Sequence, residues 1–439
     1  KWRGRQDWDP EAQVGFSPGY PPDERRRLVD VYMAEFKASF GFYPKTVGSW
    51  YVDEITLAYL AEKYGIVAAC NCKDQIGTDF YTLWGGYWNQ AYYPSRLNAY
   101  MPAQHRQAQI EVPVFRMLGS DPIYQHGTTP GLQSLEPVYP ESGGSARWVN
   151  WLLDNLVQQP CLAFGYTQAG QENSFGWPAM AQGYTNQLAK YSELARTGAI
   201  RLETLAQSGR WFHRHFPTTP ATAVVCMDDW KASGHRTVWY DSRFYRLNVF
   251  WDKDRLWIRD LHCFDEQWRS PTHEQPLTNS TLAYETLPVV DWARWQGQPG
   301  TAPGMWPVQL TPDGTATSVI LAGAPRITEA GPQELLIDQP LADGGSLQLH
   351  CGEAEFAATL VDATGHPRHW AWQIQGGKPA FFPYQRVWRD QMECAYQGHT
   401  YRITLANGGG TCELMEPQTI RLLANPQSQV ILNLKTTQP

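Results

Sequence analysis

Apolar residues recur at spacings of three and four between residues 22 and 40, so Leu28, Val31, Tyr32, Phe36 and Phe40 are predicted to share one helical face. Pro21 and Pro22 open this helix, and Gly41 stands where a C-terminal cap falls. A short strand is predicted over 45–50. An amphipathic helix over 53–64, built on Ile55, Leu57, Tyr59 and Leu60, comes next, and a buried strand over 66–70 follows Gly65. Strand, helix and strand with short connections is the pattern of a parallel sheet. The beat continues with strands over 110–118, 161–166 and 200–202 and helices over 147–157, 177–196 and 203–216. Residues 73–109, rich in Gly, Tyr, Trp, Asn and Pro, interrupt it. An irregular stretch of that length inside a domain is usually functional.

From about residue 222 the texture changes. Segments 237–250 and 255–264 are predicted to pair as strands across Asp252-Lys253-Asp254. Residues 270–310 have the Pro, Thr and Gln content of a linker or surface wrap. Short alternating segments follow at 318–322, 334–337, 346–350, 356–361, 370–374, 401–405 and 429–434, the signature of a β-sandwich. The expected organisation is an α/β unit over 1–268, a linker over 269–315 and an all-β sandwich domain over 316–439.

A chain of 439 residues suits two domains. The net charge of -7 and the isolation of Arg25-Arg26-Arg27 argue against a nucleic-acid partner, which needs a basic stripe. No apolar run reaches the ~18 residues of a membrane span. The 20 Trp and 22 Tyr stand out, many in polar, Gly-rich segments. Their flat apolar faces and polar tips suit sugar rings, although core packing takes the larger share. Eight cysteines show no zinc spacing, so mostly buried thiols are expected, with room for one or two disulfides, and neither a metal nor a cofactor is predicted. The oligomeric state is not legible.

In parallel α/β folds, functional residues gather where strands end and helices begin. At the first such junction Asp53 is a candidate catalytic carboxylate beside Trp50 as a stacking ring; Asp is also a favoured helix cap, and 53 is a cap position. The second, residues 165–177, offers Glu172 as a carboxylate and Gln168, Gln171, Asn173 and Trp177 as substrate contacts. A first-turn glutamate also suits the helix dipole. The long stretch 73–109 adds Asp74, Asp79, Trp84 and Tyr87, and the segment after 110 adds Arg116 and His126. Glycosidic cleavage needs two carboxylates, one to protonate the leaving oxygen and one to attack or to activate water. Asp53 and Glu172 are the expected pair, with Asp74 or Asp79 in reserve.

Trp50-Tyr51-Val52-Asp53, followed by a helix and Tyr64-Gly65-Ile66, resembles a motif of glycoside hydrolase family 57. There a Trp-x-Pro-Glu precedes a helix and a Gly-Ile strand, and the Glu is the nucleophile; by position that role falls on Asp53. Gly170-Gln171-Glu172-Asn173-Ser174-Phe175-Gly176-Trp177 is similar to that family's acid-bearing Asp-Ala-Glu-Leu-Phe-Gly-His-Trp. Here Gly170 takes the acid's place and Glu172 matches the neighbouring Glu. The whole chain resembles an uncharacterised family of bacterial secreted proteins related to polysaccharide deacetylase and family 57 barrels, with an appended β domain. The resemblance implies a partial or distorted β/α barrel, a carbohydrate substrate and a secreted, periplasmic or cell-surface location. It also implies first barrel strands lying outside this chain, since Trp50 comes early. Two alternatives stand beside the hydrolase. One is a metal-dependent polysaccharide deacetylase, whose His-x-x-x-His is absent here. The other is a non-catalytic glycan-binding protein.

Overall fold

Pro22 opens helix α1 (Pro22–Phe40) with the fixed φ that suits a first helical position, and Gly41 ends it at φ 81°. Strand β1 (Thr46–Gly48) leads to α2 (Glu54–Tyr64), which Gly65 closes at φ 65°. Next come β2 (Ala68–Cys72), β3 (Ala91–Tyr92) and β4 (Val114–Met117). Helices α3 (Ala146–Gln158), α4 (Trp177–Arg196) and α5 (Leu205–His215) complete the α/β part. The structure, a computed structural model, describes residues 12–78, 81–125, 134–169, 175–279, 284–297 and 302–437.

The predicted strand–helix beat yields a sheet of four strands in the order β1-β2-β4-β3. β1, β2 and β4 run parallel. β3 pairs antiparallel with β4, through Ala91 opposite Phe115 and Tyr92 opposite Val114. β3 comes from the long stretch 73–109 and takes the edge beside β4. The predicted strands over 161–166 and 200–202 do not form; 161–166 keeps a single bridge, Leu162 to Thr222. Among the described residues the sheet therefore does not close into a barrel. α5 packs directly on β2, where a Cβ on Gly209 would meet the Val67 carbonyl oxygen at 2.4 Å, so only glycine permits that approach.

α1 does not bury the face that periodicity selects. Val31, Tyr32 and Phe40 are 49%, 58% and 62% exposed, while Arg25, Val29 and Met33 face inward. The reason is polar: fully buried Arg25 donates to the Asp53 carboxylate and to the backbone carbonyls of Tyr20, Pro18 and Thr272. Those bonds fix the rotation of the helix, since leaving a buried guanidinium unpaired would cost several kcal/mol.

The all-β region begins earlier than residue 316. Strands β5 (Thr222–Cys226), β6 (His235–Asp241), β7 (Tyr245–Asp252) and β8 (Arg255–Cys263) form an antiparallel run. Gly304–Leu310, Trp370–Gln375, Thr419–Leu423 and Thr411–Glu416 extend the same sheet, so it draws on all three predicted units. The predicted strand 237–250 is a hairpin, and the turn after Asp252 joins β7 to β8 as expected. A second antiparallel sheet of eight strands, between residues 326 and 437, packs on the first around one core that includes Trp251, Ile258, Trp372, Leu335, Leu349 and Leu432. Its strands alternate buried and exposed residues, as in Glu334–Pro340. No helix among the described residues is long and apolar enough to cross a membrane.

Candidate functional site

Asp53 is the N-cap of α2. Its Oδ1 accepts from the backbone amides of Ile55 (3.0 Å) and Thr56 (3.1 Å) and from Arg25 Nη1 (3.1 Å). Its Oδ2 accepts from Thr56 Oγ1 (2.6 Å) and from the Ser17 hydroxyl. The side chain is fully buried and both oxygens are engaged, so Asp53 has a capping and pairing role rather than a nucleophile's exposure. Its proposed partner Glu172 lies outside the described residues, as do Asp79, His126, Gln171 and Asn173.

Asp74, Trp84, Tyr87 and Arg116 come together, but as a buried network and not as a sugar wall. Asp74 receives Arg116 Nη2 at 2.9 Å and Arg246 Nη1 at 2.7 Å. Arg246 in β7 also holds Asp260 in β8 through Nη2 at 2.9 Å. The Arg246 guanidinium lies 5.5 Å from the Trp84 ring centre. Tyr87 gives its hydroxyl to the Pro220 carbonyl at 2.6 Å. These groups pin the four-stranded sheet to the large antiparallel sheet; the charges compensate one another away from water. Trp50 is half-buried against Tyr51, Cys72 and their neighbours, and Trp177 stands 58% exposed at the start of α4.

Among the described residues, Gln168 is the one predicted contact that lines a large cleft. Residues of the 161–169 segment line, with β4 and α5, a cleft of about 820 Å³. Phe115, Phe164, Tyr166, Tyr191 and Trp211 form its aromatic walls. Gln168, Ser208 and Glu203 are among its polar groups. A volume of this order holds a small organic ligand or a few sugar rings. Phe115 and Tyr166 meet edge to face at 5.1 Å, and Trp211 packs against Phe164 at 5.7 Å. Arg201 lies 5.5 Å from the Trp211 ring centre. Burial pushes the Tyr166 and Tyr191 phenols up, so both remain neutral hydrogen-bonding groups.

The cleft bears a strained backbone point. Leu118, just past β4, has φ 69°, a conformation that a bulky residue adopts at a cost of ~1–3 kcal/mol. Its amide donates to Gln168 Oε1 at 3.1 Å, which ties the strand end to the cleft wall. Glu203 was missed by the sequence reading. It precedes Thr204, whose capping box with Gln207 starts α5. Its Oε2 accepts from Ser208 Oγ at 2.9 Å, and Arg201 Nε lies 3.7 Å from Oε1. The signal was available: Glu203 sits at a predicted strand-to-helix junction, the same position class as Asp53. Among the described residues no group of three or more His, Cys, Asp or Glu is placed to hold a metal ion.

A second cluster adjoins Asp53. Glu54, fully buried, is hydrogen-bonded to His273 Nδ1 at 2.8 Å, and burial raises its pKa. Glu285 nearby is held by Asn98 and Ser270, and burial together with the Glu54 charge raises its pKa to about 7. A carboxyl whose folded pKa exceeds its unfolded one keeps its proton longer in the folded state. The folded protein therefore loses stability as pH rises from about 4.5 to about 7, at ~1.4 kcal/mol per pKa unit. Glu285→Gln is expected to flatten the slope of urea-unfolding free energy across that window; an unchanged slope would show that Glu285 is not its source.

The chain combines a mixed α/β part with packed antiparallel sheets, and part of this fold is shared with a solved structure. A Parabacteroides distasonis protein provisionally described as a glycoside hydrolase/deacetylase aligns with a TM-score of 0.50 at 17% identity, over 64% of this chain and 71% of that one. At that identity the likeness is one of fold. No family model matches the chain, and no curated protein matches it.

Proposed function

We propose that the chain is a carbohydrate-active enzyme of the glycoside hydrolase/deacetylase kind, with its substrate in the cleft between residues 161–169 and α5. The observation that carries this reading is the 820 Å³ opening itself, walled by aromatic rings and edged by amide, hydroxyl and carboxylate groups. Aromatic faces receive the C–H faces of sugars, and the polar groups between them receive hydroxyls. The fold shared with the P. distasonis protein supports the class.

Glu203 is the proposed carboxylate of the reaction. Glu172, three residues beyond Ala169 in the sequence, is the proposed proton donor. Asp53 has no role in the chemistry on this reading. In hydrolysis, Glu172 would give its proton to the leaving oxygen while Glu203 attacks the anomeric carbon or draws a proton from water. In deacetylation, the same base would activate water against the acetamide carbonyl. A panel of neutral, acidic and N-acetylated oligosaccharides, read for new reducing ends and for released acetate, separates the two. Trp211→Ala is expected to weaken saccharide binding on the order of tenfold, read by calorimetry on variant whose circular dichroism matches the parent. Undiminished binding would remove the cleft from the account.

A further inference from the structure

We infer that the groove beside Glu54 and His273 is a second saccharide subsite, in which a sugar hydroxyl meets His273 Nε2 and the ring rests on Tyr59 and Ala58. The inference rests on the carbohydrate reading but uses none of the residues of the cleft. The groove encloses about 350 Å³ between the start of α1, α2, Arg96 and the turn at His273. Glu54 forms part of its wall although the carboxyl is wholly buried. Burying a glutamate is expensive, and a surface histidine needs no such support. What the pair achieves is orientation. With Glu54 ionised, its Oε1 accepts from Nδ1, which holds the ring and presents Nε2 as the acceptor. Nε2 is left with no partner among the described residues, on a side chain that is 21% exposed. Glu54 Oε2, buried, also has no hydrogen-bond partner among the described residues. Among the described residues the Arg96 side chain at the rim pairs with Glu62, in a pair whose side chains are 47% and 65% exposed. Such pairs contribute little, which leaves the guanidinium available to ligand oxygens. An oriented acceptor, an available multiple donor and the Tyr59 ring, which also carries Lys63 Nζ 5.0 Å from its centre, form a set that suits a polyhydroxylated ring, neutral or acidic.

The test uses the full chain labelled with 15N-histidine, with the His273 ring signals assigned by their loss in His273→Gln. Neutral and uronate-containing oligosaccharides are titrated into the parent and into Trp211→Ala. The expected result is a saturable shift of the His273 signals whose midpoint in Trp211→Ala stays within about twofold of the parent, because separate sites act independently. Arg96→Gln is expected to raise the midpoint several-fold for the uronate if the subsite takes acidic sugars, and to leave the neutral sugar as the better ligand otherwise. Saccharide binding that depends on Trp211 while the His273 signals stay still would overturn the second subsite alone. If no saccharide produces either response, the subsite and the carbohydrate reading fall together.

Discussion

Asp53→Asn is expected to lower the stability of the protein by about 3–5 kcal/mol, read as a shifted urea-unfolding midpoint, without abolishing saccharide binding. Four groups besides the Ser17 hydroxyl converge on this carboxylate, and Arg25, its charged partner, is as buried as it is. An amide at position 53 keeps the size and one acceptor oxygen. It removes the charge that compensates Arg25 and turns an NH2 toward Thr56 and Ser17. The guanidinium would remain buried without its counter-ion, and its bonds to Tyr20, Pro18 and Thr272 would carry the whole burden of holding α1 in place. Weakened capping of α2 adds to the loss. The nucleophile role implied by the family 57 resemblance predicts the opposite pattern: a variant as stable as the parent and devoid of turnover. One unfolding curve and one assay separate the two.

Glu203→Gln is expected to reduce turnover by ~10²–10⁴-fold while changing substrate affinity little. Ser208 and Arg201 hold this carboxylate in the cleft, and glutamine can keep the contact with Ser208. The substitution therefore tests chemistry more than architecture. Glu172→Gln is expected to cause a comparable loss. Because an acid and a base act as a unit, the double variant should lose little more than either single one. Turnover that survives Glu203→Gln at the parent's rate would remove Glu203 from the reaction. Losses that multiply fully in the double variant would separate the two roles.

Local signals in the chain were a good guide to local structure. The caps at Gly41 and Gly65, the helix over 177–196 and the alternating strands of the second sheet all follow from periodicity and capping. Non-local pairing was not legible. Nothing in Ala91-Tyr92 announces that two residues from an irregular stretch will take the edge of β4. The stripe on α1 misled for a related reason: burial of Arg25 outweighs the five apolar residues of the other face, and its partners Asp53 and Thr272 lie far along the chain. The same holds for Asp74 and Arg116. Polar residues at strand ends resemble a binding surface in the sequence, but Arg246, more than a hundred residues later, turns them into a buried bridge between the two sheets. Gln168 was found because its segment combines amides and aromatics that a plain turn does not need. Glu203 stands at the start of a predicted helix, and nothing local shows that α5 will turn it toward the 161–169 segment.

The most direct test of the cleft is a crystal structure of Glu203→Gln grown with an oligosaccharide that the parent protein converts. The account predicts sugar rings along Tyr166 and Trp211, with a hydroxyl or glycosidic oxygen within hydrogen-bonding distance of Gln168. An empty cleft in crystals that hold the saccharide elsewhere would contradict it.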